Sequence, residues 1–199
     1  MKTICFFLLA IVIAAGCTKT RVVTTRITIR DTVATIDTPV EMPFKNTIAR
    51  KMLVDTAEVF TDGPWEQGNV FYSSENGMVS KLGAIFPVNG TYRVSLWDYE
   101  ADTLLASANV ICTDSTQLAY TAIVPVNITA DKKYMLTNNT NGNPYYSYQL
   151  KSGYALDYPY SVANITILDF YYTAGTDAVI PAIAADSRLI NSDIVFRVK

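Results

Sequence analysis

Residues 91–98 read TYRVSLWD, and apolar and polar side chains alternate along most of this stretch. A period of two over such a length is typical of a β-strand with one buried face. The side chains that would share the buried face are Tyr92, Val94 and Leu96. This strand is the most strongly patterned element in the chain, and we interpret the neighbouring sequence from it.

Turn residues bound the strand on both sides. The Asn-Gly pair at 89–90 accepts positive φ angles at low energetic cost, so we expect 78–86 and 91–97 to form a hairpin or a tight corner. A polar turn follows at 98–102. Alternation then resumes over Leu104–Cys112 and predicts a third strand.

Many short apolar runs separated by turn residues make up the rest of the chain. This spacing predicts an all-β fold, an antiparallel β-sandwich of immunoglobulin-like or jelly-roll-like type. We place this domain at residues 46–199. Outside the central region, the predicted strands are 56–61, 69–73, 118–126, 132–137, 144–149, 164–172 and a closing strand at 192–198.

The N-terminal residues have the pattern of an export signal. Lys2 precedes an apolar run at 4–15, which is too short to span a bilayer comfortably. The run ends in AAGC at 14–17, which resembles the cleavage site of bacterial lipoproteins. This resemblance implies a signal peptide at 1–16 and acyl chains such as palmitate on Cys17. An ordinary secretory signal with a chance cysteine is the alternative.

Residues 17–45 are predicted to form the lipidated cysteine and an extended tether. The segment is rich in Thr and Val and lacks aromatic residues before Phe44, so it has too little apolar bulk for a core. A solvated linker and a segment lying against anionic headgroups both fit its composition. Once Cys5 and Cys17 are accounted for, Cys112 remains, and its phase predicts a small buried hydrophobe without a disulfide.

The middle of the chain carries motifs of a known family. They are GTY at 90–92, SLWD at 95–98, LLASA at 104–108 and PVNITA at 125–130. Together they resemble the bacterial domain-of-unknown-function family number 4082. Members usually have Gly-Trp-Gln ahead of the last motif, where this chain has Leu-Ala-Tyr at 118–120. The family occurs beside carbohydrate-active and adhesive modules, so the resemblance implies a binding or spacer role and transfers no catalytic residue.

The absence of histidine from the chain removes several kinds of catalytic and metal site. Ser-His-Asp and Cys-His nucleophiles and imidazole zinc sites all need that side chain. A formal net charge of −2 without a long basic run argues against a nucleic-acid partner. Asp98, Glu100 and Asp102 could form the carboxylate pair of a glycosidase, but a polar turn ordinarily leaves such acids solvated. We therefore expect no enzymatic activity, no metal and no cofactor.

A tyrosine-rich stretch is the best candidate for recognition in the sequence. Sugars lay flat C–H faces on aromatic rings and exchange hydrogen bonds with nearby polar groups, and tyrosine offers both contacts. Core packing is the alternative role, because tyrosine is a good strand former. The predicted ligand-binding residues are Tyr145, Tyr146, Tyr148, Tyr154, Tyr158 and Tyr160.

Taken together, these patterns predict a membrane-anchored, non-catalytic binding module of the cell envelope, with a glycan or an envelope protein as ligand. A structural or assembly subunit of an envelope complex is the first alternative, and a glycosidase-like hydrolase is the second. We expect a lipid anchor in the outer membrane of a Gram-negative bacterium. Because no acidic run follows Cys17, the periplasmic face is favoured.

Trp97 is expected by parity on the face opposite Leu96, where its ring would fold over the sheet edge and cap the core. A sugar platform is the alternative. We expect Trp97→Ala to lower the free energy of unfolding by about 3 kcal/mol, and Leu96→Ala by about 2 to 5 kcal/mol, because each removes a large buried side chain. Thermal denaturation measures both changes. An unmoved midpoint in Trp97→Ala together with lost ligand binding would contradict the structural role.

Overall fold

The computed structural model describes residues 40–49, 58–147, 158–185 and 189–199. Strands dominate these ranges and pair antiparallel, and one short helix accompanies them. The predicted all-β antiparallel sandwich is confirmed. None of the helical structure in the described ranges is long and apolar enough to cross a membrane.

The elements of the described residues follow the predicted order closely. The helix is α1 (Pro43–Ala49). The strands are β1 (Val40–Glu41), β2 (Glu58–Phe60), β3 (Trp65–Ser73), β4 (Gly77–Ala84), β5 (Gly90–Asp98), β6 (Thr103–Cys112), β7 (Ala119–Ile128), β8 (Tyr134–Asn139), β9 (Tyr145–Ser147), β10 (Tyr160–Val162), β11 (Ile165–Ala174), β12 (Ile183–Ala184) and β13 (Ser192–Val198).

Two sheets enclose the main core. The small sheet has the strand order β1-β13-β4-β7, and the large sheet has the order β10-β11-β3-β8-β5-β6 with β12 beside β11. β2 and β9 form a separate two-stranded pair. The closing strand predicted from alternation is β13, which pairs with β4 on one side and β1 on the other.

β5 buries the residues that its alternation predicts. Tyr92, Val94 and Leu96 are fully buried in the main core, and β6 pairs with β5 as a hairpin. β4 lies in the small sheet instead, where β7 and β13 occupy both of its edges. The Asn-Gly pair therefore forms the corner between the two sheets, and the hairpin alternative for 78–97 is wrong.

Aromatic packing holds this corner. The rings of Phe86 and Tyr92 stack with their centroids 3.7 Å apart and their planes within 5°. The Tyr92 hydroxyl also donates a hydrogen bond to the Val88 carbonyl at 2.8 Å. Stacked rings in a buried position contribute beyond the area that they remove from water. Tyr92, the first core residue of β5, therefore fixes the connection from β4 to β5 through its ring and its hydroxyl.

Trp97 lies on the face that parity predicts, but it does not cap the main core. The pairing of β5 with β6 shifts by one residue between Leu96 and Trp97, and the extra residue is Leu105 of β6. The indole is 7% exposed and packs with Val70 and Met135 in a second cluster. This cluster covers the outer surface of the large sheet, because successive side chains of a strand point to opposite faces.

The first described residues belong to the sandwich. β1 pairs with β13, and Phe44 of α1 is 2% exposed within the main core. Asp193 of β13 fixes the start of the helix, accepting hydrogen bonds from the backbone nitrogens of Phe44 at 3.0 Å and Lys45 at 3.2 Å. Residues 40–45, which their composition places in the tether, are therefore part of the fold. Residues 1–39 lie outside the described ranges.

Cys112 is free and buried, as its phase predicts. Its thiol lies 3.5 Å from the Ala84 carbonyl, to which it donates a hydrogen bond. Burial raises the pKa of the thiol, so the neutral form persists at ordinary pH. The side chain thus serves as a small core residue.

Asp193 gives the fold a specific pH dependence. Burial raises its pKa to about 6, above the value of about 3.9 expected in an unfolded chain. The folded state therefore holds this proton more tightly, and the contribution of Asp193 to stability grows as the pH falls from 7 to 4. We expect the free energy of unfolding of the unaltered protein, relative to Asp193→Asn, to increase over that interval in urea denaturation. A difference that stays constant between pH 7 and pH 4 would contradict this assignment.

Candidate functional site

The acids of the turn between β5 and β6 have separate environments. Asp98 is buried and forms an ion pair with Lys132, and it accepts a hydrogen bond from the Ala101 nitrogen at 3.2 Å. The hydrogen bond with Lys132 lowers the pKa of this carboxyl below its usual value. Glu100 and Asp102 are exposed. Asp98 is thus held as the anionic anchor of the turn.

Two of the predicted ligand-binding tyrosines lie in the main core. Tyr145 is 3% exposed, its ring stacks on Phe60 at 5.9 Å, and its hydroxyl donates to Asp62 Oδ1 at 2.8 Å. Tyr160 is 8% exposed. Most of each ring is therefore used for packing, which is the alternative role expected for good strand formers.

The other described tyrosines of that stretch are half-buried. The Tyr146 hydroxyl donates to the Ser115 carbonyl at 2.9 Å. The Tyr158 hydroxyl accepts from Asn69 Nδ2 at 3.0 Å, and burial raises its pKa. Tyr148 and Tyr154 lie outside the described residues. The ligand role of the stretch stays a prediction.

A groove of about 510 Å³ opens on the outer face of the large sheet, where β5 ends. Three aromatic side chains form its floor and one side, a loop between β11 and β12 forms the opposite wall, and an acid stands at its rim. We call it the aromatic groove. Its lining residues are Trp97, Tyr99, Asp102, Tyr171 and residues 178–182.

The sheet register brings the floor of the aromatic groove together. Tyr171 of β11 is opposite Gly68 of β3, and Met135 of β8 is opposite Trp97 of β5. A Cβ atom at Gly68 would stand 3.0 Å from Thr137 Cγ2 and 3.1 Å from Met135 Sδ. Glycine at this position therefore makes room for the β8 side chains that support the floor.

Tyr99 and Tyr171 form a coupled pair. Their ring centroids are 6.3 Å apart, with the planes inclined by 41°. The hydrogen bond with Tyr99, aided by burial, raises the pKa of Tyr171 to about 12. Both rings remain half-buried. The groove thus offers partly exposed aromatic surface whose orientation the hydroxyl contact restricts.

Asp102 presents a carboxylate at the rim of the aromatic groove. Its φ angle is +49°, a left-handed conformation that aspartate adopts more readily than most residues. The side chain is exposed, and among the described residues it has neither a hydrogen bond nor an ion pair. This carboxylate can therefore accept hydrogen bonds from a bound molecule.

The loop between β11 and β12, whose residues 178–182 form the wall, crosses the outer face of the large sheet. At its start, Asn139 Nδ2 donates to the Gly175 carbonyl at 3.0 Å, and Arg93 Nη1 donates to the Thr176 carbonyl at 2.8 Å. Further along, Ile180 packs against the cluster of Trp97. At its end, the Ala182 nitrogen donates to Thr173 Oγ1 at 3.1 Å.

Metal chemistry finds no support in the described part of the chain, where no three His, Cys, Asp or Glu side chains are grouped to hold an ion. The aromatic groove instead combines ring surface, an apolar wall and a hydrogen-bond acceptor. Such a combination suits a molecule with flat C–H faces and hydroxyl groups.

The sequence predicts a sugar platform at Trp97 only as an alternative role, and it does not indicate Tyr99 or Tyr171 as binding residues. Tyr171 lies within a predicted strand, and its phase alone gives no indication of which distant strand faces it. The sheet order places β11 and β5 on either side of β3 and β8. A groove built across four strands leaves no local pattern in any of them.

No protein-family model matches this chain, and no curated protein matches it either. The resemblance to family number 4082 therefore stays a prediction.

Proposed function

We propose that this protein is a lipid-anchored, non-catalytic binding module and that the aromatic groove binds a neutral glycan. The observation that carries the proposal is the unpaired Asp102 carboxylate beside three aromatic side chains in one groove. Sugar rings stack their C–H faces on aromatic rings, and their hydroxyls donate to carboxylates. An acid at the rim and no cation among the lining residues favour a neutral ligand over an acidic one.

The acidic residues that line the groove also support a role in binding without catalysis. Hydrolysis of a glycosidic bond ordinarily uses two carboxyl groups on either side of the scissile bond. Asp102 is the acid among the lining residues, and Asp98 is occupied by Lys132. A groove with one free carboxylate is better suited to holding a sugar than to cleaving it.

Isothermal titration with cello-, xylo-, manno- and laminarihexaose tests the proposal. We expect at least one to bind the unaltered protein, and Tyr171→Ala to weaken that affinity about fivefold, because loss of an aromatic contact costs about 1 kcal/mol. Asp102→Ala should weaken it about tenfold, since a hydrogen bond to a charged group contributes about 1.5 kcal/mol.

Tyr72→Ala is the matched control, because Tyr72 is a half-buried tyrosine of β3 that does not line the groove. Its affinity for the hexasaccharide should equal that of the unaltered protein. Failure of the unaltered protein to bind any of the four sugars, or equal affinities in all variants, would refute the proposed site.

The lipid anchor of the proposal comes from the AAGC sequence at 14–17. Several acyl chains hold a protein on a membrane, since each buried methylene contributes about 0.8 kcal/mol. We expect Cys17→Ser to abolish labelling with radioactive palmitate and to move the protein from the membrane fraction to the soluble fraction. Cys112→Ser is the control, and its labelling should be unchanged. Persistent labelling of Cys17→Ser would exclude this anchor.

An assembly subunit of the envelope is the second candidate. β6 and β7 are the outermost strands on one side of their sheets. They expose apolar side chains, with Ile111 64% and Val124 86% exposed. Exposed apolar surface at a sheet edge is typical of protein contacts, although Pro125 within β7 opposes strand addition there. Cross-linking in intact cells that captures one stoichiometric protein would favour this candidate over glycan binding.

A further inference from the structure

Three side chains from three different strands form a polar cluster on the outer face of the large sheet. Glu66 of β3 is 1% exposed. Its Oε2 atom accepts hydrogen bonds from Arg93 Nη2 of β5 at 2.8 Å and from Asn139 Nδ2 of β8 at 2.9 Å. One buried carboxylate oxygen therefore sets the positions of both donors. We call these three residues the Glu66 cluster.

Both donors of the Glu66 cluster also bind the loop between β11 and β12. Arg93 uses its other terminal nitrogen for the Thr176 carbonyl, and Asn139 shares its amide with the Gly175 carbonyl. The acceptors are backbone atoms at the start of the loop. The wall of the aromatic groove begins two residues later, at Ala178.

We propose that Arg93 and Asn139 are positioning residues of the aromatic groove, which place the loop wall without touching the ligand themselves. Neither side chain lines the groove. The proposal rests on the proposed function for its effect on a ligand, whereas its effect on the loop is measurable without one.

The two ends of the loop are held in different ways. The far end is part of the sheet, because Ile183 and Ala184 pair with β11 and Ile180 packs in the cluster of Trp97. The near end depends on the two side-chain contacts and on one backbone bond, from the Gly175 nitrogen to the Pro64 carbonyl at 3.0 Å. The residues between, 177–179, are exposed. Loss of the side-chain contacts should therefore move the start of the wall and leave the aromatic rings in place.

Arginine suits this position for a geometric reason. Its planar guanidinium presents donors in fixed directions, so it bridges a carboxylate and a carbonyl at once. Lysine in its place keeps a positive charge beside Glu66, which would otherwise be a buried unpaired carboxylate, but it cannot reproduce the fork. Arg93→Lys therefore keeps a positive charge beside Glu66 while removing the second contact, to the loop.

Hydrogen exchange of the full chain, read at the amide of residue 175, which donates to the Pro64 carbonyl, tests the structural part. We expect exchange to accelerate about tenfold in Arg93→Lys, because a charge-assisted contact contributes about a tenfold factor in local opening. Gly175→Ala should do the same by another route. The φ angle at Gly175 is +125°, and an added Cβ would meet no atom within 4 Å, so the substitution strains the loop alone.

Lys81→Arg is the control, since Lys81 is an exposed residue of β4 in the small sheet. Its exchange and thermal midpoint should match those of the unaltered protein. For the binding part, titration with the best-bound hexasaccharide should show about a tenfold weaker affinity in Arg93→Lys, at a thermal midpoint close to the original.

Each outcome has a distinct meaning. Unchanged exchange at the amide of residue 175 in both Arg93→Lys and Gly175→Ala would overturn the proposal, because the loop would not depend on this attachment. Faster exchange with unchanged affinity would overturn the positioning role. If the unaltered protein binds none of the four sugars, the proposed function fails, and faster exchange would still establish that Arg93 holds the wall.

Discussion

β5 is buried on both faces, and this double burial constrains the side chains that pack around it. Its apolar face, with Tyr92, Val94 and Leu96, closes the main core. On its other face Ser95 and Trp97 are buried as well. Polar groups in such a place need partners, since an unpaired buried donor costs free energy. The Ser95 hydroxyl pairs with that of Ser107 at 3.0 Å, and Trp97 Nε1 donates to Thr137 Oγ1 at 3.1 Å.

The Glu66 cluster follows from the same constraint. Burial raises the pKa of Glu66, while its hydrogen bonds and the charge of Arg93 act in the opposite direction. A buried ion pair contributes little net stability, because desolvation offsets most of the attraction. Its effect here is geometric: the carboxylate orients donors that reach the loop between β11 and β12. That loop covers the outer face and, with Trp97, Tyr99 and Tyr171, encloses the groove.

Residues that stabilise this face of the sheet therefore also line the aromatic groove. Trp97 belongs to the cluster that seals the sheet and also lines the groove. Trp97 has this placement because β5 keeps its alternation through residues 94–98, where its pairing with β8 is regular; the extra residue of the shifted pairing with β6 is Leu105 of β6. Tyr145 and Tyr160 show the opposite use of aromatic rings, because both are packed inside the sandwich.

Alternation along the chain was enough to establish the strand content, the buried face of β5, the role of Cys112 and a closing strand whose observed limits are Ser192–Val198. These properties depend on which face of its strand each side chain occupies, and a period of two in the sequence records that directly. The corner at Asn89-Gly90, the integration of Phe44 and the aromatic groove depend on which strands lie side by side. Only the tertiary structure decides that, because hydrogen bonds between strands are made by backbone groups common to every residue, and the pairing of Tyr99 with Tyr171 leaves no trace in either segment.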